Sequence, residues 1–279
     1  MLTFYKKVSA LSLQKRQKKE QDLLNILFIG DIVGINGCEF LRKNLRGLKS
    51  FYGINTVIVN GENSAQGNGI LPESAEYLLD SGVDVITGGN HSFKRKEIFE
   101  YYSPQKPVIR PANFPKDAPG EGMYILDFGS LRLAVINLIG QLYLEPADSP
   151  FKKADELIKM AETNLIFVDF HAEATGEKGA LAHYLDGRVS AIVGTHTHVQ
   201  TSDEQILPKG TGFITDAGMT GAVNSILGVN PEIIVKKFTL RVPVRFEEEE
   251  GPCKLEGIIF EICEKTGKTL NVTRIRSGQ

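Results

Sequence analysis

Short unbroken apolar runs alternate with helical stretches along most of the chain, and this alternation constrains the architecture more than any other feature. Ile26-Leu27-Phe28-Ile29, Thr56-Val57-Ile58-Val59, Val83-Asp84-Val85-Ile86, Leu165-Ile166-Phe167-Val168 and Ala191-Ile192-Val193 are too short for helices. They read as strands buried on both faces, the kind found in sheets covered by helices. Between them, Leu41, Leu45, Leu48 and Tyr52 recur at three- and four-residue spacing while Arg42, Lys43, Arg46 and Lys49 take the other side. That pattern predicts a helix over Glu39–Phe51. Pro72 and Glu73 open another that runs to Leu79, and further helices are expected near Lys152–Glu162 and Lys178–Leu185. Met123–Phe128 and Leu131–Ile136, joined by Gly129-Ser130, read as a hairpin. Beyond Gly210 mostly strands are expected, including Gly212–Thr215 and a terminal pair, Leu255–Ile262 and Thr269–Ile275. The fold class is α/β: a layered sandwich of mostly parallel sheet with flanking helices and a β-rich C-terminal part.

The 279 residues carry 32 Lys and Arg against 34 Asp and Glu, so no global positive field draws the protein to nucleic acid or an anionic membrane. An anionic substrate must be attracted locally. Residues 1–24 stand apart, with Lys6, Lys7, Lys15, Arg16, Lys18 and Lys19 against Glu20 and Asp22. They read as a basic extension, poorly ordered or helical, whose charge would also suit contact with RNA, and residues 25–279 as a single domain. No stretch approaches the roughly 18 apolar residues of a membrane span. Cys38, Cys253 and Cys263 are odd in number and widely spaced, which fits neither a disulfide framework nor a thiolate metal site and points to a reducing, cytoplasmic setting. The run Glu247–Glu250 is expected to be a solvated loop.

Function is signalled by the residues at the far ends of the strands. Gly30-Asp31, Asn60-Gly61-Glu62-Asn63, Gly88-Gly89-Asn90-His91, Asp169-Phe170-His171 and Gly194-Thr195-His196-Thr197-His198 all lie at carboxyl ends of core strands. In an open α/β sheet those ends share one rim, where ligands bind. Asp31, Glu62, Asn90, His171, His196 and His198 combine hard oxygen donors with imidazole nitrogens, a mixture suited to Mn, Fe, Zn or related divalent ions. Two such ions, with Glu62 between them, would hold a bridging hydroxide and clamp an in-line displacement at phosphorus. Glu173 and Thr175 fit turn and cap roles as well as a place beside the site. Arg110, Lys178 and Arg188 are cations that could meet phosphate, and His183, on a helix, reads as structural.

Five stretches, Phe28-Ile-Gly-Asp31-Ile-Val-Gly34, Val59-Asn-Gly-Glu62-Asn63, Thr87-Gly-Gly-Asn90-His91, Asp169-Phe-His171-Ala-Glu173-Ala-Thr175 and Gly194-Thr-His196-Thr-His198-Val-Gln200, together resemble the calcineurin-like metallophosphoesterases, in the bacterial YmdB-type branch. The common Asp-x-His motif of the wider superfamily is here Asp31-Ile32-Val33, and the usual Gly-Asp is Gly61-Glu62. The resemblance implies that Asn63 replaces the missing histidine. It implies one divalent ion on Asp31, Glu62, Asn63 and His198, a second on Glu62, Asn90, His171 and His196, and His91 as the nearby acid. Fe or Mn is the expected pair, with Zn or Mg as alternatives. The implied reaction is hydrolysis of cyclic nucleotides, best 2',3'-cyclic nucleoside monophosphates to 3'-nucleotides. Alternatives on the same residues are a phosphomonoesterase or RNA-end nuclease, or a non-catalytic RNA-associated regulator. A homo-oligomer is a further expected association.

Overall fold

The computed structural model describes residues 23–278. Along the chain run β1 (Leu23–Ile29), β2 (Asp31–Ile32), α1 (Gly34–Tyr52), β3 (Thr56–Asn60), α2 (Pro72–Asp80), β4 (Val85–Thr87), β5 (Met123–Asp127), β6 (Arg132–Ile139), α3 (Pro150–Met160), β7 (Leu165–His171), α4 (Thr175–Leu185), β8 (Ala191–Thr195), β9 (Gln205–Ile206), β10 (Gly212–Ile214), β11 (Met219–Ala222), α5 (Pro231–Leu240), β12 (Cys253–Cys263) and β13 (Thr269–Ser277). The strands form two sheets. One has the order β2-β11-β12-β1-β3-β4, with β13 also paired to β12; the other has the order β5-β6-β7-β8-β10-β9. Parallel pairs build the centre of each sheet, β1-β3-β4 in one and β6-β7-β8-β10 in the other. The expected hairpin is the antiparallel pair β5-β6, at an edge of the second sheet.

Strand periodicity explains the layering. In β1, Ile26 and Phe28 point into a core shared with Val135, Phe167 and Val193 of the opposite sheet, whereas Leu27 and Ile29 pack with Leu41 and Leu45 of α1 and Leu78 of α2. A third core lies beyond the second sheet, where Ile136, Val168 and Ile192 meet Ala154 of α3 and Leu181 and Leu185 of α4. The result is a helix-sheet-sheet-helix sandwich, and its apolar strands are buried on both faces because each sheet has a neighbour on either side. Phe28 stacks on Phe167 with centroids 5.7 Å apart, fixing the two sheets against each other.

The C-terminal third departs from the expected run of strands. Residues 231–240 form α5, capped by Asn230, whose side chain accepts from Glu232 N at 3.0 Å and Ile233 N at 3.4 Å. Asn-Pro-Glu is a helix-start signal, but Ile234 is the helix's one buried side chain, so no core-facing stripe marks it. The acidic run is not simply solvated either. Glu248 accepts from Ile35 N at 3.2 Å and from Gly67 N at 3.1 Å. A carboxylate at the amino end of α1 is favoured by the exposed N–H groups there, and the helix begins at Gly34, five residues before the expected start.

One glycine sets the site's position. β12 pairs along one edge first with β11 and then with β1, and the chain leaves β12 at Gly30, where Gly30 N donates to Glu256 O and Asp31 N donates to Gly218 O, both at 3.1 Å. A Cβ at residue 30 would lie 2.1 Å from Gly218 O. Only glycine lets these backbones approach so closely, and Asp31 projects from the branch point.

Candidate metal centre

The strand ends do converge, but from two sheets rather than along one rim. Asp31, Glu62, Asn63, Asn90 and His91 follow β1, β3 and β4 of the first sheet, while His171, His196 and His198 belong to the ends of β7 and β8 in the second. Asp169 on β7 ties the sheets together beneath them. Its carboxylate accepts from Asn60 Nδ2 at 3.1 Å, Thr87 Oγ1 at 2.5 Å and Thr195 Oγ1 at 2.7 Å. Burial pushes this carboxyl up to about 7, while His171 and the two hydroxyls pull against it.

Each of the three histidines turns one ring nitrogen outward to a fixed acceptor and the other inward. Because Thr195 spends its proton on Asp169, it can only accept from His171 Nδ1, 2.9 Å away. His196 Nε2 lies 3.1 Å from Glu173 Oε2, and His198 Nδ1 lies 3.1 Å from Leu227 O. The inward atoms are therefore His171 Nε2, His196 Nδ1 and His198 Nε2. His198 Nε2 faces Asp31 Oδ1 at 3.4 Å. Around His171 Nε2 lie Asn90 Oδ1 at 2.9 Å, His196 Nδ1 at 3.1 Å and Glu62 Oε1 at 3.2 Å. One N–H cannot serve three acceptors, whereas a cation among these atoms would satisfy all of them. Glu62, His171 and His196 each place a ligand atom within 4.8 Å of the others, so these residues fit a divalent ion.

Charge follows the same logic. Burial would raise the carboxyls, but the neighbouring histidines hold Asp31 below its usual value and Glu62 well below. Burial likewise opposes charge on His171, yet Glu62, Asp31 and Asp169 push it up to about 9. His196 goes the other way, down to about 4, through burial and the charge on His171, which leaves it neutral with a free lone pair. Backbone strain accompanies these positions: His196 has φ 100 and His198 φ 62. The turn between them is held by Asp216, which accepts from Thr197 N at 3.1 Å and from the buried Lys178 Nζ at 2.8 Å.

Asn63 lies inside the cluster with its amide nitrogen foremost. Its Nδ2 is 3.3 Å from Asp31 Oδ1, 3.3 Å from Glu62 Oε1 and 3.4 Å from His198 Nε2. Its Oδ1 meets His91 Nδ1 at 2.8 Å. His91 also donates its backbone N–H to Glu62 Oε2 at 2.8 Å. Glu62, Asn63, His91, His196 and His198 all face a cavity of about 420 Å³.

Several side chains take other places than the sequence suggests. Glu173 belongs to the site, on His196 rather than on the nearby His171. Lys178 is spent on Asp216, and Arg110 donates to the carbonyls of Pro111, Ala118 and Pro119, so neither is free for phosphate. Arg188 pairs with Asp155. Thr175 opens α4, and His183 is exposed on the same helix. The basic extension and any RNA contact through it lie outside the described residues, apart from Leu23 and Leu24. Among the described residues no helix is long and apolar enough to cross a membrane.

The family described as YmdB-like protein matches residues 27–275. A 2',3'-cyclic-nucleotide 2'-phosphodiesterase of Bacillus subtilis (strain 168) is 49% identical over 254 residues, spanning 90% of this chain and 96% of that one. The crystal structure of a novel phosphatase from Mycoplasma pneumoniae superposes with a TM-score of 0.86 at 36% identity, covering 92% of this chain and 94% of that one. A hypothetical protein from Thermus thermophilus gives the same TM-score at 37% identity, covering 92% of this chain and all of the other. With that family matched from residue 27 to 275 and a relative 49% identical over 90% of its length, the chain belongs to the YmdB-like family.

Proposed function

We propose that this protein is a metal-dependent phosphodiesterase that opens 2',3'-cyclic nucleoside monophosphates at the 2' bond, leaving 3'-nucleotides. The observation that supports it most is the inward convergence of three imidazole nitrogens, each oriented by its own acceptor, on Asp31, Glu62 and Asn90. Oriented lone pairs around a buried carboxylate are what divalent ions require of a protein. Asp31, Glu62, Asn63 and His198 would hold one ion, and Glu62, Asn90, His171 and His196 the other. Bound there, the ions would supply Lewis acidity and an activated water.

The remaining chemistry falls to the chain's own side chains. For Asn63 to bind an ion through Oδ1, its amide must turn by half a revolution, which brings Nδ2 to His91 Nδ1. His91 then accepts at Nδ1 and carries its proton on Nε2. A proton so placed can be given to the departing 2' oxygen, a contribution of about 10²–10⁴-fold in rate. The Bacillus subtilis relative is a 2',3'-cyclic-nucleotide 2'-phosphodiesterase, which is consistent with this reaction.

The test is a panel of phosphomonoesters, linear diesters and 2',3'- and 3',5'-cyclic nucleotides assayed with Mn, Fe, Zn and Mg. Best turnover of 2',3'-cyclic substrates to 3'-nucleotides is expected, with His91→Ala keeping its metal content and losing turnover by about a hundredfold or more. Preferential hydrolysis of monoesters, or an unimpaired His91→Ala enzyme, would overturn the assignment.

A further inference from the structure

The 420 Å³ cavity has two chemically distinct linings. Glu62, Asn63, His91, His196 and His198 lie on its polar side, with Glu173, Lys237, Glu247 and Glu248 also on the lining, while Ile226, Leu227, Val229, Ile234, Phe238 and Phe246 form an apolar wall. Phe238 is 64% exposed, Leu227 47% and Phe246 37%. Single exposed apolar residues are ordinary, but several gathered at the mouth of one polar cleft mark a binding surface. Ile234, Lys237 and Phe238 lie three and four residues apart, so one face of α5 is presented to the cavity.

This wall is tied to the polar floor. Leu227 gives its carbonyl to His198 Nδ1, and its left-handed φ of 56 shows the loop held in a strained turn at that contact. Glu248 fastens the following segment to α1 and to Gly67, and Asn230 Nδ2 donates to Glu249 Oε2 at 2.8 Å. The apolar surface thus stands in fixed relation to the cluster, in a space within the range of small-molecule sites. A protein segment seated here would close the entrance to the cluster, whereas a flat apolar ring attached to a phosphate would fill both halves at once.

We propose that Phe238 and Phe246 form the nucleobase subsite, with the base stacked on Phe238 and the phosphate over the histidines. The inference rests on the cyclic-nucleotide reading above. Lys237 Nζ sits 4.6 Å from the centroid of Phe246, covering that ring and leaving the more exposed Phe238 as the open platform. Aromatic faces accept every base, so the wall contributes affinity without selecting among the four.

The experiment compares KM for each 2',3'-cyclic nucleotide with KM for methyl riboside 2',3'-cyclic phosphate, which has the reacting ring and no base. In the wild-type enzyme the four nucleotides should agree within about threefold and should bind better than the base-free compound. Phe238→Ala should raise the ratio of nucleotide KM to base-free KM about tenfold, Phe246→Ala should raise it less, and Phe238→Trp should restore it. Because Phe238 is largely exposed, its truncation leaves the core intact. An unchanged ratio in both alanine variants, with nucleotide hydrolysis intact, overturns the base subsite alone. Failure of the wild-type enzyme on every cyclic phosphate overturns the parent reading and the subsite with it.

Discussion

Replacing Thr195 by valine removes one hydroxyl from a fully buried position without opening a cavity, and its consequences can be worked through atom by atom. Thr195 Oγ1 donates to Asp169 Oδ1 at 2.7 Å and accepts from His171 Nδ1 at 2.9 Å. Valine leaves Asp169 short of a donor and the imidazole N–H short of an acceptor, since the other nearby group, Asn60 Nδ2 at 3.4 Å, is itself a donor. Two such orphaned groups cost about 1–3 kcal/mol each. Asn60 Nδ2 already gives its two protons to Gly88 O and Asp169, so the ring can relieve one of the two losses only by giving up its Nδ1 proton and keeping the one on Nε2, and a net loss of about 2–3 kcal/mol is expected in chelated protein. For a domain of this size that corresponds to roughly 4–12 °C in Tm. The recovery has its own cost, because a proton on Nε2 blocks the nitrogen aimed at Glu62 and Asn90, and losing such an orienting partner typically weakens metal binding about 10–100-fold. Calorimetric melting of EDTA-treated protein reads the first effect and manganese titration calorimetry the second. Thr195→Ser, which keeps the hydroxyl, should show little of either. A valine variant that melts and binds manganese like wild type would refute the assignment of the His171 tautomer through Thr195.

Lys178→Met strands the buried Asp216 carboxylate and should cost about 3–5 kcal/mol in urea unfolding; the double variant with Asp216→Asn, which keeps an acceptor for Thr197 N, should recover more than half, and equal losses would refute the ion-pair argument. Gly30→Ala should be destabilised by about 3 kcal/mol or more, or fail to fold, given the 2.1 Å approach to Gly218 O, whereas Gly47→Ala, in α1 with nothing within 4 Å of the added Cβ, should gain about 0.5–1 kcal/mol; thermal melts of the pair check the contrast. Asp203 is pushed up by burial but held below its usual value by Thr201 and Thr215, so its contribution is present above its unfolded pKa of 3.8 and lost as pH falls through the lower folded value. Asp203→Asn should therefore cost about 1 kcal/mol at pH 7, and a gap that fails to close in acid unfolding curves below about pH 4 would contradict it.

The strands and the polar residues at their ends could be read directly because buried runs such as Ile26–Ile29 and the residues after them are local signals. Periodicity does not say whether two buried strands share a sheet or face each other across a core. Ile26 and Phe28 look the same in either case, and the single expected rim became two facing rims. Glu173 differs from expectation for a related reason. It follows His171 closely in sequence, but the parallel pairing of β7 with β8 brings it beside His196. Leu227 could not have been found, since it acts through a carbonyl that carries no side-chain signature. Helix α5 is not legible because its apolar residues face the cavity and solvent instead of the core.

The two-sheet arrangement makes stability and ligand geometry depend on the same atoms. Asp169 joins β7 to Asn60 of β3 and Thr87 of β4 across the sandwich, and through Thr195 it also sets the ring that faces Glu62. A loosened contact between the sheets would therefore misplace His171 relative to Glu62 and Asn90, which belong to the other sheet. In a single sheet, backbone pairing alone would keep such residues in register. Here side chains must do it, and that accounts for a buried polar bridge at the end of an otherwise apolar interface, where a carboxylate without donors would cost several kcal/mol. The bridge lies directly beneath the cluster, where a small rotation between the sheets would otherwise displace the ligands.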